Sequence, residues 1–142
     1  MAGYRDLRVW QEARRLVSEV YHITYQLPPA EIYALSDQMR RAVISIGSNI
    51  AEGQGRGTSK DSAHFLYIAR GSAYELDTQL CYCMDLGFGD KSLVSAALNR
   101  VGLIISLLNQ MLSPMNYSRS SMQMREETEL YDAEEIDEQR DP

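Results

Sequence analysis

Residues 32–60 read IYALSDQMRRAVISIGSNIAEGQGRGTSK, and the spacing of their apolar residues decides the fold. Leu35, Met39, Ala42, Val43, Ile46 and Ile50 recur at three- and four-residue intervals. On a helix they gather in one sector of about 100°. Gln38, Arg41, Ser45, Asn49 and Glu52 fill a neighbouring polar sector. Arg40, Ile44, Gly47 and Ala51 fill a third, where small side chains let another backbone come close. The spacing predicts a helix over 31–53 that has more than one neighbour to satisfy. Gly53, Gly55 and Gly57 then break it, with Gly53 expected as the left-handed residue after the last turn.

Working outward, residues 7–27 place Leu7, Trp10, Ala13, Leu16, Val20 and Ile23 at helical spacing. Asp6 is placed to cap this helix, and Pro28-Pro29 stops it, because proline cannot continue the hydrogen-bonded ladder. Arg8, Glu12, Arg15 and Glu19 alternate in sign on the opposite side and read as a solvated face. Thr58 and Asp61 stand at capping-box spacing and open a third helix that runs to about Leu86. Its stripe is Phe65, Ala69, Ala73, Leu76, Leu80, Cys83 and Gly87, and Gly71 in mid-helix suggests a close helix contact. The fourth helix, 91–112, is apolar on more than one face, the mark of a partner or subunit interface. Four helices with short connections and no strand signal make an all-α, antiparallel up-down-up-down four-helix bundle over residues 1–112.

Charge separates the remainder. Up to Leu112 there are 11 basic and 11 acidic residues, whereas from Ser113 onward there are three basic and nine acidic. The whole net charge of -6 therefore belongs to residues 113–142, an acidic tail whose composition is that of a disordered segment. Cys81 and Cys83, two positions apart on a helix, point away from each other and read as apolar filler in a reducing compartment. The start, MAGYRDLRVW, lacks the build of a signal peptide, and the longest apolar run falls well short of a bilayer span. The expectation is a soluble cytoplasmic protein without membrane contact.

Little chemistry is legible. The turn at Gly53, Gly55 and Gly57 follows a helix rather than a strand and lacks a Gly-Lys-Ser/Thr ending, so neither phosphate-cradle mechanism applies. Glu19-x-x-His22 and Asp61-x-x-His64 have metal-ligand spacing but fall near opposite ends of the bundle, too far apart to share an ion. No catalytic residue, cofactor, metal or small-molecule substrate is called for. The polar sector has two readings: buried, it is a hydrogen-bond network that fixes register; exposed, Arg40 and Arg41 join Arg56 and Lys60 in a modest basic patch for nucleic acid. Ile44, Gly47, Ala51 and Gly71 are the candidate oligomer or partner interface.

Tyr4-Arg5-Asp6-Leu7, Val9-Trp10, Gln38-Met39-Arg40-Arg41-Ala42, Asn49-Ile50-Ala51-Glu52-Gly53 and Gly55-Arg56 together resemble one bacterial family. Phe65-Leu66, Ala69-Arg70-Gly71-Ser72 and Glu75-Leu76 continue the match. The family is the four-helix bundle protein of 23S rRNA intervening sequences. What the resemblance implies is a ring-shaped homopentamer with no accepted enzymatic activity and an association with RNA or the ribosome; the leading expectation is a non-enzymatic scaffold or adaptor, and the alternative is an RNA- or ribonucleoprotein-binding module associated with the ribosome or a reverse transcriptase. The distantly similar accessory protein of diversity-generating retroelements is basic, whereas this chain has a neutral body and an acidic tail.

Overall fold

The structure, a computed structural model, describes residues 3–115. Residues 1–2 and 116–142, the latter forming most of the acidic tail, lie outside the described residues. Four helices follow one another: α1 (Arg8–Tyr25), α2 (Leu35–Gln54), α3 (Ser59–Leu86) and α4 (Lys91–Leu112). Short 3₁₀ turns precede α1 (Tyr4–Asp6), divide α1 from α2 (Pro29–Glu31) and follow α4 (Ser113–Met115). Among the described residues there is no strand. The bundle expected from periodicity is the fold observed.

Each helix contributes one apolar stripe to a single core. Leu16, Val20 and Ile23 from α1 meet Met39, Val43, Ile46 and Ile50 from α2. Leu66, Leu76 and Leu80 from α3 and Val101, Ile104 and Leu108 from α4 complete it, all fully buried. Removing each such side chain from water contributes about 1.5–3 kcal/mol, which sets the alignment of the helices. The third stripe passes through Leu66 rather than Phe65, which is only half buried. Lys91–Met115 is long and apolar enough to cross a membrane by length and composition alone. In the bundle, α4 turns Val94, Ala97, Val101, Ile104, Leu108 and Leu112 into the core. Leu98, Ile105, Leu107 and Met111 pack on the core's rim.

Three local expectations are corrected. First, Asp6 does not cap α1: its carboxylate accepts the Gly3 N–H at 3.2 Å and closes the preceding 3₁₀ turn, and the N-cap is Leu7. Second, α2 begins at Leu35 instead of 31, because Pro28-Pro29 opens into the 3₁₀ turn Pro29–Glu31 before the chain can reverse. Glu31 still serves the helix, since its carboxylate accepts the Leu35 N–H at 3.4 Å. Third, Gly53 lies inside α2 and is not its left-handed terminator. A Cβ there would sit 3.1 Å from the Ser62 carbonyl oxygen and 3.2 Å from the Phe65 Cβ, so glycine is what lets α3 leave so close to α2. The left-handed terminator is Gly87, with φ 69°, after α3. After Leu112 comes the 3₁₀ turn Ser113–Met115, and Met115 packs on the core.

Two helix starts follow local chemistry. The Thr58 hydroxyl accepts the Asp61 N–H at 3.2 Å, half of the expected capping box. Asp90 accepts from the Ser92 and Leu93 N–H groups at 2.9 and 3.1 Å at the head of α4. The Ser92 hydroxyl bond and then the Leu93 amide hold the Asp90 carboxyl below its ordinary value. A depressed folded-state pKa means this cap is intact above about pH 4, near the unfolded value, and is lost as pH falls through the lower folded one. The alternating helix directions give the bundle two poles. One holds the start of α1, the glycine turn and Met115; the other holds the proline turn and the Gly87–Asp90 turn.

Candidate interaction surfaces

The two flanks of α1 differ most from the sequence-based expectation. Glu12 and Glu19 do not face solvent. Seven residues apart, they lie on one side of α1, toward α4, where Arg100 donates from Nη1 to Glu12 Oε2 and from Nε to Glu19 Oε1. Glu12 is 7% exposed, and its other oxygen accepts from Arg15 Nη1 at 3.2 Å. Burial pulls the Arg100 guanidinium toward losing its proton, and the hydrogen bonds and charges of Glu19 and Glu12 outweigh that and hold it above its ordinary value. Arg100 is thus a permanent cation clasped by two carboxylates.

The other flank of α1 faces α2. Trp10, Arg14, Val17 and Tyr21 share a face by their i, i+4, i+7, i+11 spacing, and so do Arg40, Ile44, Gly47 and Ala51 on α2. The antiparallel register is fixed by two contacts: a Cβ on Gly47 would lie 3.8 Å from the Ala13 Cβ, and Arg40 Nε donates to Thr24 Oγ1 at 3.0 Å. The third sector of α2 therefore packs on α1, and its small residues line a half-buried seam between the two helices. Ile44 is 47% exposed, while Trp10, Val17, Tyr21, Gly47 and Ala51 are half buried. The Arg14 guanidinium lies 5.6 Å from the Trp10 ring centroid, and that of Arg40 lies 5.1 and 5.2 Å from Tyr21 and Tyr25. Among the described residues neither arginine has a carboxylate within ion-pair distance.

The polar sector of α2 lies along α3 and splits between the two readings. Asn49 Nδ2 donates to the Ser45 carbonyl at 2.8 Å, and the Ser72 hydroxyl of α3 donates to Ser45 Oγ at 2.8 Å, a half-buried interhelical link. Gln38, Arg41 and Glu52 are exposed, with Arg41 paired to Asp37 and Glu52 to Arg56. The four basic residues expected to form one patch are not together. Sixteen residues of chain separate Arg40 from Arg56, roughly 24 Å along α2, so Arg40 and Arg41 stand near the proline pole. Arg56 and Lys60 stand at the glycine turn, Arg56 over the Phe65 ring at 4.6 Å. Gly71 is separate from Ile44, Gly47 and Ala51: it is on the outer side of α3, where a Cβ would meet nothing within 4 Å. Among the described residues no other helix comes close to Gly71.

Ile68, Tyr74 and Tyr82 share that outer side of α3 with Gly71, and all are exposed. At the proline pole Tyr33 is 96% exposed, with Tyr25, Ile32, Leu86 and Leu93 also in solvent. His22 and His64 are both exposed, and the carboxylate three residues before His22 belongs to Arg100. Among the described residues no three His, Cys, Asp or Glu side chains gather as a metal set. Cys81 is exposed and Cys83 buried, so only the second is core filler. Burial first, then the charge of Glu31, pushes the Cys83 thiol up to about 11, and its Sγ lies 3.7 Å from Met39 Sδ.

The family model described as 23S rRNA-intervening sequence protein matches residues 5–110, all four helices up to the last turn of α4. The chain belongs to that family. A crystal structure of a family relative bears out the bundle of this chain. It is a protein of unknown function from the S23 ribosomal protein family of Bacteroides thetaiotaomicron, 21% identical, with a TM-score of 0.68 over 73% of this chain and 97% of that one. At that identity the likeness speaks for the fold. No curated protein matches the chain.

Proposed function

We propose that this protein is a non-enzymatic, homo-oligomeric scaffold or adaptor of the cytoplasm, assembled through the outer side of α3. The observation that carries the reading is the row Ile68, Gly71, Tyr74 and Tyr82, which no other helix among the described residues covers. An aromatic and aliphatic row around a glycine with open space above it suits close approach of a second helix. The pentameric stoichiometry is what the family resemblance implies. Light scattering at micromolar concentration is expected to give about five times the chain mass of 16.1 kDa, and a monomer mass overturns the reading. Ile68→Asp with Tyr74→Asp should dissociate the assembly while leaving helical circular dichroism unchanged. A second reading is an RNA- or ribonucleoprotein-binding module. It is favoured by Arg56 and Lys60 at the exposed glycine turn, while Arg40 and Arg41 stand at the other pole. Salt-dependent retention of RNA that is lost in Arg56→Glu with Lys60→Glu supports it.

A further inference from the structure

The seam between α1 and α2 has an apolar floor and an arginine rim, and nothing in the described chain fills it. Val17, Ile44, Gly47 and Ala51 form the floor; Arg14 and Arg40 stand over their aromatic rings without carboxylates. On the other flank of α1 the carboxylates are already taken by Arg100. An occupant must therefore bring acidic groups for the rim and apolar side chains for the floor. The chain itself holds such a segment. Residues 126–138, EETELYDAEEIDE, contain eight acidic residues, no basic one, and Leu130, Tyr131, Ala133 and Ile136 among them.

We infer that residues 126–138 of the same chain dock in the α1–α2 seam and cover Trp10, Ile44 and Gly47. Reach permits it. Met115 ends at the pole where α1 begins, beside the Trp10–Ala51 end of the seam. From α4 across α1 to the seam is about two interaxial spacings, roughly 20 Å. The eleven residues from Met115 to Glu126 extend to about 35 Å. The seam from Trp10 to Tyr25 is about 22 Å long, which thirteen residues span. Tethering supplies a millimolar local concentration, so a free acidic chain must compete against it. A nucleic-acid strand would satisfy the arginines but would set its bases against a glycine and alanine floor. The inference does not depend on the oligomeric reading and survives its failure.

Trp10 is the sole tryptophan, so the full-length chain reports on its own seam. Acrylamide quenching of Trp10 should increase about twofold between 0.05 and 0.5 M NaCl, as screening releases the tail. Full-length chain carrying E126Q, E127Q, E129Q, E134Q and E135Q should show the released value at low salt. A second measurement places the segment: a nitroxide on Ile44→Cys, with Cys81→Ser, should broaden amides 126–138 at low salt and spare them at high salt. Equal quenching in wild type and the five-glutamine chain, or broadening confined to residues 116–125, overturns the inference. So does Trp10 protection that ribonuclease removes and the glutamines leave alone, which gives the seam to RNA. Broadening only when spin-labelled chain is mixed with separate isotope-labelled chain overturns docking within one chain.

Discussion

The two flanks of α1 face neighbours of similar size and solve the same packing problem with opposite chemistry. Toward α4, two carboxylates and a guanidinium close the seam with directional, charge-assisted bonds. Toward α2, arginines lie over aromatic rings and small residues leave the seam open. The closed flank specifies register, because the Arg100 fork reaches both Glu12 and Glu19 in only one alignment of α4 on α1. The open flank leaves positive charge and apolar surface available. A surface meant for binding cannot also be one whose charges are all internally satisfied.

The largest test of this contrast removes the clasp. Arg100→Met leaves Glu12 and Glu19 without their shared cation in a half-dry seam and should destabilise the fold by about 2–4 kcal/mol, read by urea unfolding. Adding Glu12→Leu and Glu19→Leu to that variant should restore most of the loss. A smaller effect belongs to the open flank. Gly47→Leu overpacks the contact with Ala13 and should cost about 1–3 kcal/mol. Gly47→Ala fits at 3.8 Å and should gain up to about 1 kcal/mol from helix propensity. Equal losses for the leucine and alanine variants would mean the seam is rigidly closed. The smallest effect is that of Arg14→Gln, expected within about 0.5 kcal/mol in thermal unfolding. A loss as large as that of Arg100→Met would abolish the distinction between the flanks.

Cys83 adds a check on the core that both flanks enclose. Its thiol should resist a maleimide at pH 8 while Cys81 reacts. Its folded-state pKa of about 11 lies above the ordinary thiol value, so its stabilising share is present below about pH 8.5 and falls as pH rises toward the folded value. Loss of stability between those limits should be absent in Cys83→Ala.

The helices were legible because the stripes of α1, α2 and α4 repeat without interruption, and a bundle is the simplest way to bury four of them. Helix ends were less legible. Gly53 looks like a terminator in one dimension, and its use as the point where α3 passes close to α2 appears only in three. The clasp was hidden for a similar reason: Arg100 is 88 residues from Glu12, and alternating signs on α1 suit a solvated face equally well. One signal was available. Arg100 is the single charged residue between Lys91 and the tail, and a guanidinium set in so apolar a helix requires acidic partners. The seam was half legible: the small-residue sector of α2 is visible in the sequence, but of the aromatic residues opposite it only Trp10 stands out there, as part of α1's own stripe.

The even number of antiparallel helices puts Gly3 and Met115 at the same pole and leaves Tyr33, Leu86 and the proline turn at the other. A tether attached at Gly3 or at Met115 would therefore hold the described bundle the same way up. On a sensor surface or a fused carrier, the aromatic pole would face outward and the glycine turn inward. Immobilisation chemistry thus selects which surfaces a binding assay can see, and a partner of the glycine turn would be found only with the protein free in solution or anchored by its sides.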